Sequence, residues 1–136
     1  MPSAGGEAVA VTDAGGFLAH ESFDGTQLYF AKLNEPGIWR MPVAGGEAEL
    51  ILPDLDLAAW GSWAVGRDGI YFVRRAPTTI QFVRFDDRTT HEIFAPPRQV
   101  PYFGRSLSLS ADGRSLLFSM IDHSDDEVMR VDLSGL

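Results

Sequence analysis

Residues 41–48 read MPVAGGEA, and residues 1–8 read MPSAGGEA. The two stretches differ at a single position and are offset by 40 residues. A sequence that repeats at a fixed period of about 20 to 50 residues is typical of folds whose units pack side by side. We therefore expect the chain to consist of one structural unit of about 40 residues that is used several times.

Each unit is predicted to contain short β-strands. Runs rich in aromatic and β-branched residues alternate with turns of Asp, Gly and Pro, and an Asp-Gly pair between two such runs is a strong hairpin signal because Gly adopts positive φ at low cost. The sequence lacks sustained helical periodicity, so we expect almost no helix. The predicted strands are 7–12, 18–22, 27–31, 38–41, 47–52, 60–65, 70–74, 79–85, 90–94, 106–110, 116–121 and 127–133.

Three sets of landmarks align the units with one another. The Asp-Gly pairs begin at residues 24, 68 and 112, a spacing of 44. An apolar pair follows in the second strand of each unit, and a triplet centred on Arg follows in the third. These landmarks are Tyr29-Phe30, Tyr71-Phe72 and Leu117-Phe118, then Trp39-Arg40-Met41, Val83-Arg84-Phe85 and Met129-Arg130-Val131. Repeated four-stranded units of this length predict an all-β fold of the β-propeller type, in which each unit is one blade.

The motifs themselves resemble those of a known family. Residues 110–119, SADGRSLLFS, resemble the SPDGxxLxFS hairpin of TolB-like, WD-related propeller repeats, with Ala111 where the family usually has Pro. Residues 38–42, IWRMP, followed by GGE at 45–47, are similar to the family's WRxPxxGGE segment. The sequences at 69–72, 101–104 and 127–131 resemble the C-terminal part of propellers found behind bacterial winged-helix regulators and some bacterial signalling kinases. The resemblance covers the chain and implies a propeller that takes part in interactions.

The strand count predicts three blades in a permuted phase. Residues 1–12 carry an isolated outer strand, 17–52 form blade 1, 59–94 form blade 2, and 105–133 form blade 3 without its outer strand. Closed propellers have about 4 to 8 blades, so three blades do not close a ring. Two alternatives remain: two chains form a six-bladed ring in which each segment 7–12 completes the last blade of the other chain, or the sequence is half of a longer propeller.

Composition excludes several classes of function. The net charge of −8 on 136 residues disfavours direct binding to nucleic acid, and the lack of cysteine excludes disulfides and thiolate chemistry. No segment has the length of a membrane span, so no membrane partner is expected. A natural start at Met1 predicts a cytoplasmic protein, whereas a segment cut from a longer chain is also compatible with the periplasm.

Few residues suggest catalysis or metal binding. The histidines are His20, His91 and His123, and the last lies in a run of acidic residues at 122–126 that suggests a cation site. A solvated turn explains this run better, because its spacing matches no calcium loop. Ser22 and Ser110, each two residues before an Asp, are better explained as hairpin formers than as nucleophiles. We expect no catalytic residue, no cofactor and no metal.

Aromatic residues suggest either a cage for a cation or sugar, or packing between blades, and we expect packing. The set is Trp39, Trp60 and Trp63 with Tyr29, Tyr71 and Phe72.

The most promising surface is predicted from position alone. Loops that leave the second and fourth strands of each blade share one face of a propeller, and there they combine both signs of charge with apolar groups, a mixture that suits a protein or peptide partner. We expect a non-catalytic interaction or sensing module of a larger bacterial signalling or regulatory protein. The alternatives are a hydrolase or lyase at the mouth of the central channel, for which only His20 and Glu21 are candidates, and a purely structural assembly. The predicted interaction residues are Asn34, Glu35, Trp60, Arg75, Tyr102, Phe103, Asp122, His123 and Asp125.

Overall fold

The computed structural model describes residues 6–13, 15–101, 104–122 and 125–135. The helical content of these ranges is one 3₁₀ turn, Leu57–Ala59, and they contain no helix of the length and apolar character needed to cross a bilayer. The strands are β1 Phe17–Glu21, β2 Gln27–Ala31, β3 Ile38–Pro42, β4 Glu49–Leu52, β5 Trp63–Val65, β6 Gly69–Arg75, β7 Thr78–Arg84, β8 Thr90–Phe94, β9 Leu107–Leu109, β10 Ser115–Asp122 and β11 Asp125–Asp132.

The strands form three antiparallel sheets in chain order. Blade 1 is β1-β2-β3-β4, blade 2 is β5-β6-β7-β8, and blade 3 is β9-β10-β11 within the described ranges. The first strand of each blade is the inner one, because β1 contacts β5 and β5 contacts β9. The prediction of an all-β propeller built from repeated blades is therefore confirmed.

Local turn chemistry shapes the first hairpin of blades 1 and 3. The Ser22 hydroxyl donates to Asp24 Oδ1 at 2.5 Å and accepts from the amide of Gln27 at 2.9 Å. Ser110 makes the same pair of bonds with Asp112 and Ser115, at 2.6 and 2.9 Å. The Gly after each aspartate has φ near +70°, which a side chain disfavours. These serines and aspartates therefore build turns, as expected.

The corresponding hairpin of blade 2 is shorter. Four residues, 66–69, connect paired Val65 and Ile70, whereas six, 22–27, connect paired Glu21 and Leu28. Gly69 is not a turn residue but lies in β6, where a Cβ would stand 2.1 Å from the carbonyl oxygen of Val83. The prediction of an Asp-Gly turn at 68–69 is wrong in this respect.

This shortening also changes which third-strand residues are equivalent. Tyr29 lies opposite Arg40, and Leu117 lies opposite Arg130, as predicted. Tyr71, however, lies opposite Phe82, so Phe82 and not Arg84 occupies the position of Arg40 in blade 2. The predicted alignment of the third strands is wrong by two residues in blade 2.

Apolar side chains join each blade to the next. Tyr29 and Ile38 of blade 1 pack with Trp63 and Phe72 of blade 2 in one buried cluster. Residues of blade 2 and blade 3 form a second cluster on the opposite face of blade 2, which includes Tyr71, Ile80, Leu116 and Phe118. Trp63, Phe72, Tyr29 and Tyr71 are buried, so the expected packing between blades is confirmed for these four aromatic residues.

Three predicted segments differ from the structure. Residues 7–12 form no strand in this chain, because an extended segment needs a neighbouring strand to pair with. The run 122–126 is not a loop throughout, since Asp122 pairs with Asp125 and Ile121 pairs with Asp126. The strand predicted from residue 60 begins at Trp63, after the 3₁₀ turn.

Candidate interaction face

One end of the arc carries the longer connections. In antiparallel blades, the β2–β3 and β4–β5 connections leave the same end of the sheet, at residues 32–37 and 53–62. The β6–β7 turn and the β8–β9 connection lie at the equivalent end of the later blades. We call this end the loop face, and the opposite end, which carries the hairpins of the first and second strands, the turn face.

A shallow pocket of about 250 Å³ lies on the loop face of blade 1. Phe17 and Leu33 are both exposed in its wall. The Lys32 ammonium donates to Glu35 Oε1 at 3.2 Å and lies 3.8 Å from the centroid of the Trp39 ring, so one charge of each sign is fixed at the rim. The pocket is lined by Gly15, Gly16, Phe17, Lys32, Leu33, Asn34 and Glu35.

Trp60 supports this pocket from the β4–β5 connection. Its ring meets the ring of Phe17 edge to face, with 4.6 Å between the centroids. Its carbonyl oxygen accepts a hydrogen bond from Trp63 Nε1 at 2.7 Å. Trp60 is therefore half-buried, and part of its surface remains open to solvent.

Arg75 is attached to the same connection. Its guanidinium lies 3.3 Å from Asp56 Oδ2, and the other carboxylate oxygen of Asp56 accepts from the amide of Ala58 at 2.8 Å. This arrangement holds the 3₁₀ turn, on which Leu57 is exposed. Leu33 and Leu57 were not among the predicted residues, although each is a leucine flanked by polar or turn residues.

The predicted face residues are brought together in part. Asn34 and Glu35 share the pocket, and both are exposed. Asp122 and Asp125 are the last pair of the β10–β11 hairpin. Tyr102, Phe103 and His123 lie outside the described residues.

The channel side offers the alternative site. His20 lies on β1 with its ring edge to face with Trp63, at 4.7 Å between centroids, and its Nε2 is buried without a hydrogen-bond partner. Burial, with a smaller contribution from the charge of Arg105, lowers the pKa of His20, so the ring is neutral near pH 7. The adjacent Glu21 points to the opposite side of the strand and is exposed.

His20 and Glu21 therefore do not converge on one reacting atom. Among the side chains that the structure describes, no group of three or more His, Cys, Asp or Glu residues is placed to hold a metal ion.

Comparison with known proteins supports the fold. No protein-family model and no curated protein matches the sequence. Among solved structures, the chain is similar to one designated TolB from Agrobacterium tumefaciens, with a TM-score of 0.65 and 16% identity. The similarity covers 88% of this chain and 45% of the other, so this chain spans about half of that structure's length. The fold is that of a TolB-like β-propeller segment.

Proposed function

We propose that this chain is a non-catalytic propeller module of a larger bacterial signalling or regulatory protein, and that its loop face binds a protein or peptide. The observation that carries the proposal is the pocket of blade 1, where exposed Phe17 and Leu33 lie beside the Lys32–Glu35 ion pair. An apolar centre with a polar rim is the usual composition of a protein-binding patch.

The architecture supports a rigid site. Phe17 is fixed by Trp60, and the neighbouring connection is fixed by the Arg75–Asp56 ion pair, so little side-chain freedom is lost when a partner binds. The net charge of −8 favours a basic or neutral partner over an acidic one, because like charges slow association. The expected partner is an extended or looped segment that inserts one apolar side chain between Phe17 and Leu33.

A random peptide library displayed on phage, selected on the immobilised chain, tests this proposal. We expect selected peptides to bind the chain, and the variant Leu33→Ser to bind them at least about tenfold more weakly. Phe23→Ser is the matched control, because Phe23 is 60% exposed on the turn face and Leu33 is 63% exposed on the loop face. The control should retain binding.

Other outcomes decide against the loop face. Selection of no peptide, or equal binding to both variants, would overturn the proposal. Peptides that lose affinity with Phe23→Ser alone would place the binding surface on the turn face. Circular dichroism of both variants confirms that each change leaves the fold intact.

A further inference from the structure

Blade 3 exposes the face that the other blades bury. Ile38 of blade 1 and Ile80 of blade 2 are each 0% exposed, whereas Val128, at the equivalent position of blade 3, is 76% exposed. In the neighbouring position, Tyr29 is 3% exposed and Leu117 is 38% exposed. The difference arises because the next blade covers these positions in blades 1 and 2.

Blade 3 also has a free edge. In blades 1 and 2 the third strand pairs with an outer strand, β4 or β8. In the described part of blade 3, the third strand, β11, pairs with β10 alone along eight residues. A free edge of this length beside an apolar face is one that proteins usually cover.

The first residues of the chain have the sequence of the missing strand. Residues 7–12 align with 47–52 at the 40-residue offset, and the end of the second segment forms β4. In this chain residues 7–12 form no strand, and Val9 and Val11 are exposed. Among the described residues there is therefore an outer-strand sequence that belongs to no blade, and a blade whose outer strand is not present.

This segment already lies against the outer flank of blade 1. Phe30 is only 2% exposed although none of the described blades lies on its side of blade 1, and a cavity of about 330 Å³ is lined jointly by residues 9–13, Phe30, Met41 and the β3–β4 connection. The position of a Cβ on Gly16 would be 3.4 Å from the Phe30 ring and 3.5 Å from the Thr12 methyl group, which places Thr12 close to this flank.

The same relationship exists within the chain between β4 and blade 2. Arg88, in the β7–β8 connection, donates to Glu49 Oε1 and to the carbonyl oxygen of Ile51, each at 3.1 Å. The outer strand of one blade thus lies beside the connection between the third and fourth strands of the following blade. Residues 9–13 occupy the corresponding place beside blade 1, where a preceding blade would end.

We propose that a second copy of this chain supplies that preceding blade. Its β11 pairs with residues 7–12 of the first copy, and its exposed Leu117 and Val128 pack on the flank that contains Phe30. In blade 1, Arg40 of the third strand lies opposite Glu49 of the outer strand. Arg130 is the equivalent of Arg40 in blade 3, and Val9 is the equivalent of Glu49 at the 40-residue offset. In the dimer, Arg130 of one copy therefore lies opposite Val9 of the other. The contact is then a continuation of the blade-to-blade packing seen twice within the chain.

A second copy fits for two reasons. Every chain carries both the strand and the blade that receives it, so a twofold axis generates two identical contacts and closes a ring of six blades. The match also covers 45% of the length of the TolB structure, so two copies of this chain would account for most of a propeller of that length. This inference uses neither Leu33 nor the pocket of the loop face, and it stands or falls apart from the proposed function.

The chain contains no cysteine, so engineered disulfides can test the pairing. In Val9→Cys/Arg130→Cys, oxidation is expected to link two chains covalently. In the matched control, Ala10→Cys/Arg130→Cys, the two side chains would lie on opposite sides of the sheet, and the yield of linked dimer is expected to be at least about tenfold lower.

Light scattering after size-exclusion chromatography provides the second measurement. We expect the mass of two chains at micromolar concentration, and a tighter dimer at higher salt because each copy has a charge of −8. Val128→Asp is expected to weaken the dimer at least about tenfold, because it places a charge in an apolar contact. Leu57→Asp, an exposed leucine on the loop face, is the control and should leave the mass unchanged.

Two results would overturn the inference. One is the mass of a single chain up to about 100 μM at low and high salt, a range that covers ordinary homodimer affinities. The other is equal cross-linking of both cysteine pairs, because it would indicate random collision instead of a defined register.

Discussion

The two outer flanks of the arc differ, although the same repeat builds both. On blade 1, Phe30 faces away from the other blades and is still buried, since residues 9–13 lie over this flank. On blade 3, Leu117 and Val128 face away from the other blades and are exposed. The repeat therefore encodes apolar groups on both sides of a blade, and the presence of a neighbour decides which of them leave water.

The largest effect on stability is expected from a substitution in the contact between blades 1 and 2, at a position whose equivalent in blade 3 is exposed. Ile38→Ala should lower the free energy of unfolding by about 2–5 kcal/mol, because it leaves a cavity between blades 1 and 2. Val128→Ala, at the equivalent position, should change it by less than about 0.5 kcal/mol in the monomer. Urea unfolding followed by tryptophan fluorescence measures both values.

The unfolding experiment for this pair needs a protein concentration at which the chain is monomeric, since a partner on blade 3 would also bury Val128. Equal losses for the two variants would contradict the equivalence of Ile38 and Val128.

A smaller effect is expected at the joint between blades 2 and 3. The hydroxyl of Ser106 donates to that of Ser62 at 2.7 Å, and both side chains are buried. Ser62→Ala should lower the free energy of unfolding by about 1–3 kcal/mol, because the Ser106 hydroxyl then lacks its partner. The double variant Ser62→Ala/Ser106→Ala should lose less than the sum of the two single variants. Strict additivity would show that the two hydroxyls do not interact.

The smallest effect on stability is expected when the pH is lowered, through His20 in the contact between blades 1 and 2. The pKa of His20 is lowered by burial, so the unfolded chain takes up its proton at a higher pH than the folded chain. This contribution to stability is present above about pH 6.5 and is lost as the pH falls through the lowered folded pKa. His20→Gln should reduce the loss of stability between about pH 7.5 and 5.

His91→Gln is the control for the pH experiment, because it makes the same substitution at an exposed position. Identical profiles for wild type and His20→Gln would contradict a buried neutral ring. At still lower pH, protonation of the Asp24 carboxylate lowers the stability further. The Ser22 hydroxyl and the amide and hydroxyl of Thr26 stabilise the ionised carboxylate and hold its pKa at about 2.

The blades can be predicted from the sequence because the signals for their strands and turns are local. Alternation along the strands and the Ser-x-Asp-Gly turns at 22–25 and 110–113 depend on near neighbours in the chain. The second blade deviates because its first hairpin is two residues shorter, and an alignment of Arg84 with Arg40 overlooks this change. The segment 7–12, predicted as a strand, pairs with none of the strands that the structure describes, and an alternating sequence alone does not form one.

The candidate face was predicted less well than the blades. Asn34 and Glu35 lie where the turn chemistry places them, but the burial of Trp60 depends on Phe17, 43 positions away in the sequence. Leu33 and Leu57 are exposed on two different connections of the loop face, residues 32–37 and 53–62. Such features depend on tertiary packing, which cannot be predicted from the local sequence pattern.

The short first hairpin of blade 2 also indicates how such repeats can change length during evolution. Its four-residue connection and the six-residue connection of blade 1 differ by an even number, so Tyr71 still faces the following blade as Tyr29 does. Loss of one residue instead of two would turn the whole second strand over and send its aromatic side chain to the wrong neighbour. Insertions and deletions at this hairpin should therefore survive selection in pairs.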